Sequence, residues 1–183
     1  VRNSGNGQFE APQVIIEALS GEINSLYDID LDNDGRNDLV IQNRAEQLRW
    51  YRRTNVSSPM YAPAIDIYIQ PGFVSQAVIR FYGTLSFADM DNDGWTDIIY
   101  CKKDFSIVWF WNNRGTGFDG GREIASADDS GPVRQGIPVD IDNDGDLDVF
   151  VSLQVEPRDV SANQVRWYEN VGNATFALRA FAA

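Results

Sequence analysis

Short apolar runs alternate along this chain with clusters of Asp, Asn and Gly. Leu39-Val40-Ile41, Ile98-Ile99-Tyr100 and Val149-Phe150-Val151 each follow directly on an acidic, glycine-containing segment. No stretch sustains a 3.6-residue apolar period, so helices are not predicted. Short apolar runs bounded by turn residues predict strands. Further on in each case comes a pair of aromatics: Trp50-Tyr51, Trp109-Phe110 and Trp167-Tyr168. Consecutive bulky residues, as in Val108-Trp109-Phe110-Trp111, predict a strand covered on both faces.

The acidic segments are copies of one nine-residue pattern, Asp-x-Asp-x-Asp-Gly-x-x-Asp. They are Asp30-Leu31-Asp32-Asn33-Asp34-Gly35-Arg36-Asn37-Asp38, Asp89-Met90-Asp91-Asn92-Asp93-Gly94-Trp95-Thr96-Asp97 and Asp140-Ile141-Asp142-Asn143-Asp144-Gly145-Asp146-Leu147-Asp148. After the aromatic pair comes an Asn-x-Gly turn closed by an aromatic: Asn113-Arg114-Gly115 to Phe118, and Asn170-Val171-Gly172 to Phe176. The same turn opens the chain as Asn3-Ser4-Gly5 to Phe9. The first unit departs, because Thr54 to Tyr61 carries no glycine and its turn must be built differently.

Each unit is read as four short strands, at Thr84–Asp89, Asp97–Lys102, Ser106–Asn112 and Arg122–Ala127 in the second. The fold class is all-β, with blades of four antiparallel strands stacked face to face as in a β-propeller. The phase of the repeat gives 1–17 as the last strand of a preceding blade. It then gives a blade at 18–70 with loop 30–38, one at 71–128 with loop 89–97, and one at 129–183 with loop 140–148. About three blades plus one strand do not close a ring of four to eight, so this partial propeller is expected to belong to a larger protein or to close with other chains. Val1 runs straight into Arg2-Asn3-Ser4-Gly5, which reads like the middle of a protein.

Composition narrows the function. The chain has 183 residues and a net charge of −12, from 15 Lys+Arg against 27 Asp+Glu. No basic footprint for nucleic acid is visible. No apolar run approaches the ~18–20 residues of a membrane span. There is no histidine, which removes the commonest general base and transition-metal ligand. The single cysteine, Cys101, is expected in a buried strand. No nucleophile–base constellation is present, so the chain is not read as an enzyme.

The loops carry the chemistry. Carboxylates at positions 1, 3, 5 and 9 can turn toward one centre, and glycine at position 6 permits the sharp bend. The carbonyl at position 7, from Arg36, Trp95 or Asp146, can join them. Unpaired unit charges 4 Å apart repel by about 4 kcal/mol at an effective dielectric of 20. Calcium, a hard cation taking six to eight oxygen ligands, suits such a site better than magnesium, which demands stricter octahedral geometry. About three Ca²⁺ are expected, and they would halve the net charge. An EF-hand would need glutamate at position 12 and flanking helices. Position 12 is instead Ile41, Tyr100 and Val151.

Apolar strand, Asp loop, apolar strand and then Val165-Arg166-Trp167-Tyr168-Glu169-Asn170 resembles the FG-GAP/VCBS-type repeats, related to those of integrin α-subunit propellers. The resemblance implies calcium held between the first and second strands of each blade. The ligands it implies are Asp30, Asp32, Asp34 and Asp38; Asp89, Asp91, Asp93 and Asp97; and Asp140, Asp142, Asp144 and Asp148. It implies a secreted or surface-exposed protein with an adhesion, lectin-like or scaffolding role. Expected partners are other blades and an extracellular protein or glycan. A lectin is the alternative, and a non-catalytic part of a polysaccharide-active enzyme a further one.

Weaker signals complete the reading. Asn55-Val56-Ser57 and Asn173-Ala174-Thr175 are N-glycosylation sequons in outer turns. Trp50, Trp109 and Trp167 are read as inter-blade core rather than a sugar-stacking platform. Trp95 lies inside a loop, where an exposed indole would be a contact candidate. Arg49, Arg52 and Arg53 are read as a solvated basic face rather than a patch for an acidic partner.

Overall fold

The computed structural model describes residues 3–16, 22–44, 47–57, 59–69, 83–102, 106–126, 133–153, 164–172 and 175–179. Among them the chain forms only strands: β1 (Asn3–Gly5), β2 (Gln8–Phe9), β3 (Ile23–Ile29), β4 (Asp38–Asn43), β5 (Gln47–Tyr51), β6 (Ile65–Ile69) and β7 (Leu85–Ala88). Then follow β8 (Asp97–Cys101), β9 (Ile107–Phe110), β10 (Arg122–Ala125), β11 (Val133–Val139), β12 (Asp148–Leu153), β13 (Gln164–Asn170) and β14 (Phe176–Arg179). Three antiparallel four-stranded sheets result, β3-β4-β5-β6, β7-β8-β9-β10 and β11-β12-β13-β14, each wound in chain order. They are blades of a partial β-propeller, and each acidic loop joins the first strand of a blade to the second.

The middle blade shows why its strands read as continuous apolar runs. Every residue of β8 and β9 is buried. Val108 and Phe110 pack with Leu48 and Trp50 of the first blade. Ile107 and Trp109, pointing the other way, pack with Val133 and Val149 of the third. Both faces are covered, so neither side of the strand can be polar. Leu31 and Met90, at loop position 2, are 0% and 1% exposed and plug these two cores. Burying such a side chain contributes about 1.5–3 kcal/mol.

The first strands of neighbouring blades stand side by side. Thr84 Oγ1 donates to the Arg134 carbonyl at 2.9 Å, and Ser86 Oγ to the Gly136 carbonyl at 2.6 Å. Gly136 permits this approach, since a Cβ there would lie 3.2–3.3 Å from Val149, Ile107 and Ile99.

The turn after the third strand follows a different register from its sequence motif. Asn112, not Asn113, pairs with Phe118, as Asn170 pairs with Phe176 and Asn3 with Phe9. Asn112 is fixed there because its backbone N–H is held by Asp97, just as that of Asn170 is held by Asp148. Residues 3–9, expected to hold one strand, form this hairpin from two, β1 and β2. In the first blade Arg53 pairs with Tyr61 instead, and Thr54 Oγ1 lies 2.6 Å from the Pro59 carbonyl inside the glycine-free turn.

Candidate metal centres

Each loop is a compact turn folded around its own carboxylates. Positions 4 and 6 take positive φ: 54°, 57° and 62° at Asn33, Asn92 and Asn143, and 82°, 88° and 98° at Gly35, Gly94 and Gly145. Position 1 accepts the N–H of the position-6 glycine, Gly35 to Asp30 and Gly94 to Asp89 at 2.8 Å, and Gly145 to Asp140 at 3.2 Å. Position 5 accepts the N–H of position 7: Arg36 to Asp34 at 2.9 Å, Trp95 to Asp93 at 3.0 Å and Asp146 to Asp144 at 2.9 Å.

Position 9 sits apart from these exposed turns. Asp38, Asp97 and Asp148 are 0%, 1% and 1% exposed. One oxygen of each accepts the backbone N–H of position 2: Leu31 at 3.3 Å, Met90 at 3.0 Å and Ile141 at 3.2 Å. The other accepts a backbone N–H at the end of the third strand: Arg53 at 2.6 Å, Asn112 at 2.7 Å and Asn170 at 2.8 Å. The repeated tryptophan completes the set. Trp50 Nε1 donates to Asp38 at 2.8 Å, and Trp167 Nε1 to Asp148 at 2.9 Å. Trp109 takes the equivalent place beside Asp97 without closing a bond of normal geometry, yet its indole still favours the carboxylate. Trp50 and Trp109 are inter-blade core residues, as expected, whereas Trp167 is only half-buried. The bonds of Trp50 and Trp167 to the loops follow no fixed spacing, since Asp and Trp lie 12 residues apart in the first blade and 19 in the third. The recurrence of one tryptophan per unit is the available signal.

Three clusters of carboxylates can each hold a cation, with ligand atoms within 4.8 Å of one another: Asp30, Asp32 and Asp38; Asp89, Asp91 and Asp97; Asp140, Asp142 and Asp144. The fourth acid of each loop lies outside its cluster. Asp34 pairs with the Arg36 guanidinium. Asp93 caps its own turn, and Asp148 holds backbone and indole donors. Burial is the main cause raising the pKa of Asp32, with the charges of Asp38 and Asp34 adding to it. Burial likewise raises Asp38 against three opposing hydrogen bonds, and it raises Asp91. It pushes Asp97 up to about 6. Asp32 Oδ1 and Asp140 Oδ1 are buried and accept no hydrogen bond. A buried carboxylate oxygen without a donor is costly. Oxygen-only donors in this arrangement fit a hard divalent cation.

The two inter-blade slots beside these clusters differ. Between the first and second blades, the Arg52 guanidinium lies 4.5 Å over the Trp50 ring, with Nε 3.9 Å from Asp32. It also donates to the Gly115 carbonyl. Trp95 closes the same slot: it is half-buried, and a Cβ on Gly115 would lie 2.8 Å from its ring. Between the second and third blades, Trp111 stands where Arg52 does, and Asp146 where Trp95 does. That slot is a cavity of about 340 Å³ lined by Asp91, Trp109, Trp111, Arg122 and Asp146 among others.

The expected basic face does not form. Arg49 pairs with Asp66 at 2.9 Å, Arg52 turns into the slot, and Arg53 lies over Tyr61. Each guanidinium finds its own carboxylate or ring, so no common patch results. Cys101 is buried. Asn55 is exposed in its turn, and the Asn173 sequon lies outside the described residues.

The FG-GAP-like repeat model matches twice, at residues 30–100 and 89–151, which together span more than half of the chain. The fold is similar to that of an Agrocybe aegerita lectin, whose solved structure concerns specific recognition of non-reducing terminal N-acetylglucosamine. The likeness has a TM-score of 0.60 at 19% identity and covers 90% of this chain. The chain spans 40% of the length of that lectin. No curated protein matches the chain.

Proposed function

The chain belongs to the FG-GAP-like repeat family, and we propose that it is a calcium-braced, extracellular β-propeller segment that serves as a binding or scaffold module. The carrying observation is the recurrence, in three blades, of an oxygen-only cluster of carboxylates around a tightly wound loop. Asp30, Asp32 and Asp38 would hold one ion, Asp89, Asp91 and Asp97 a second, and Asp140, Asp142 and Asp144 a third. Bound Ca²⁺ supplies charge neutralisation and cross-bracing. Asp38, Asp97 and Asp148 tie each loop to the third strand of its blade, so whatever orders a loop also orders the blade. Extracellular calcium modules bind with Kd on the order of 10⁻⁴–10⁻³ M, a range matched to calcium outside cells. Thermal melting in calcium and in EDTA tests this. Calcium at tenfold excess over Kd stabilises by about 1.4 kcal/mol per site and raises Tm. An identical Tm in the two buffers contradicts it.

The cavity between the second and third blades favours a second reading, a lectin. Trp111 offers a half-buried ring, Trp109 forms the apolar floor, and Asp91, Asp146 and Arg122 offer polar groups. That combination suits a pyranose, with an apolar face and a rim of hydroxyls. N-acetylglucosamine and a glycan array are the probes. Binding that Trp111→Ala abolishes supports the lectin, and an array blank in calcium argues for a protein partner.

A further inference from the structure

Position 4 of every loop is asparagine: Asn33, Asn92 and Asn143. Its positive φ is one reason, since asparagine tolerates the left-handed region. Glycine would satisfy that need equally well. The side chains add something glycine cannot. Asn33 Nδ2 donates to the Gly94 carbonyl of the second loop at 3.0 Å, and Asn92 Nδ2 to the Gly145 carbonyl of the third at 3.1 Å. Each loop therefore grips the same atom of the next.

The gripped carbonyl belongs to the peptide joining positions 6 and 7. The N–H of that peptide is the one held by position 5, Trp95 to Asp93 at 3.0 Å and Asp146 to Asp144 at 2.9 Å. One bond earlier, the glycine N–H is held by position 1, Gly94 to Asp89 at 2.8 Å and Gly145 to Asp140 at 3.2 Å. A short piece of backbone is thus clamped by two carboxylates of its own loop and by an amide of the loop before it. At the far end of that link, Asn33 lies in the chain between Asp32 and Asp34, and Asn92 between Asp91 and Asp93. Shifting the clamped peptide moves the asparagine, and with it the carboxylates on either side.

We infer that Asn33 and Asn92 are positioning residues that couple cation loading between adjacent loops, so that ordering one loop prepares its neighbour. The inference rests on the cation reading of the loops. Coupling between sites is reciprocal, so loading either loop of a pair favours the other. One net hydrogen bond at stake corresponds to a change in affinity of about fivefold.

Calorimetric titration of the metal-free chain with Ca²⁺ tests it, with the fold checked by circular dichroism. The double variant Asn33→Gly/Asn92→Gly keeps the positive φ and removes both links. Asn143→Gly is the control, since its side chain has no further loop to reach among the described residues. Wild type and the control are expected to bind with later affinities raised about fivefold over the first. The double variant is expected to bind as many ions without that rise. The single variants Asn33→Gly and Asn92→Gly each cut one link and serve if the double variant does not fold. Unchanged cooperativity in the linked variants overturns the coupling alone, as does an equal loss in the control. No calcium binding by wild type overturns both the coupling and the reading beneath it.

Discussion

Trp50 donates its indole N–H to Oδ2 of Asp38 at 2.8 Å, joining the core of a blade to the last carboxylate of its acidic loop. Asp38 is fully buried, so the bond is shielded from water, and it is charge-assisted in the carboxylate form. Trp167 and Asp148 repeat the relationship in the third blade at 2.9 Å. Replacing Trp167 with Phe keeps most of the ring and removes the donor. A loss of about 1.5–3 kcal/mol is expected from urea unfolding, with weakened calcium affinity in the same variant.

Acids of one loop divide by role, which gives a second prediction. Asp97 satisfies the N–H groups of Met90 and Asn112 inside the protein. Asp97→Ala strands both donors, at about 1–3 kcal/mol each, so it destabilises in EDTA already, and further in calcium, where a ligand is lost as well. Asp93 is exposed and caps only its own turn. Asp93→Ala is expected to change stability by less than about 1 kcal/mol in EDTA. Paired unfolding curves in the two buffers check the split.

Burial raises Asp97 to a pKa of about 6 from 3.8, which fixes the sign of a pH effect. Between those values the folded chain holds a proton that the unfolded chain has lost. Stability of the metal-free protein therefore falls as pH rises through that window. Calcium requires the carboxylate form, so its affinity rises over the same window. Melting in EDTA at pH 4.5 and 7.5 is expected to give the higher Tm at the lower pH. Excess calcium is expected to narrow or reverse the difference.

Two guanidinium groups make the first loop unlike the others. Arg36 pairs with Asp34, and Arg52 lies 3.9 Å from Asp32. Arg52 competes with a bound cation for Asp32, and the Arg36 charge beside the loop repels one. The third loop has Asp146 at the position of Arg36. The first site is expected to be the weakest, and Arg36→Gln to tighten it several-fold. Competition titrations with a chromophoric chelator measure this directly.

The blades were legible because their landmarks are local and repeated. The nine-residue loop, the apolar run after it and the Trp-aromatic pair each identify a strand or turn without reference to the rest of the chain. Other features depend on what lies across a sheet or in the next blade. The Asn112 register is fixed by Asp97, fifteen residues away. Arg49, Arg52 and Arg53 are close in sequence, but alternation along the strand and a turn at its end send them to three partners. The asparagine links span 61 and 53 residues, so nothing local to the nine-residue motif marks position 4.

Calcium bound by the purified chain in equilibrium dialysis against excess millimolar calcium tests the central claim most directly. Elemental analysis is expected to give three calcium ions per chain, falling by one with each of Asp32→Ala, Asp91→Ala and Asp142→Ala. A chain that retains no calcium at millimolar free concentration, and melts identically with and without it, would contradict the account.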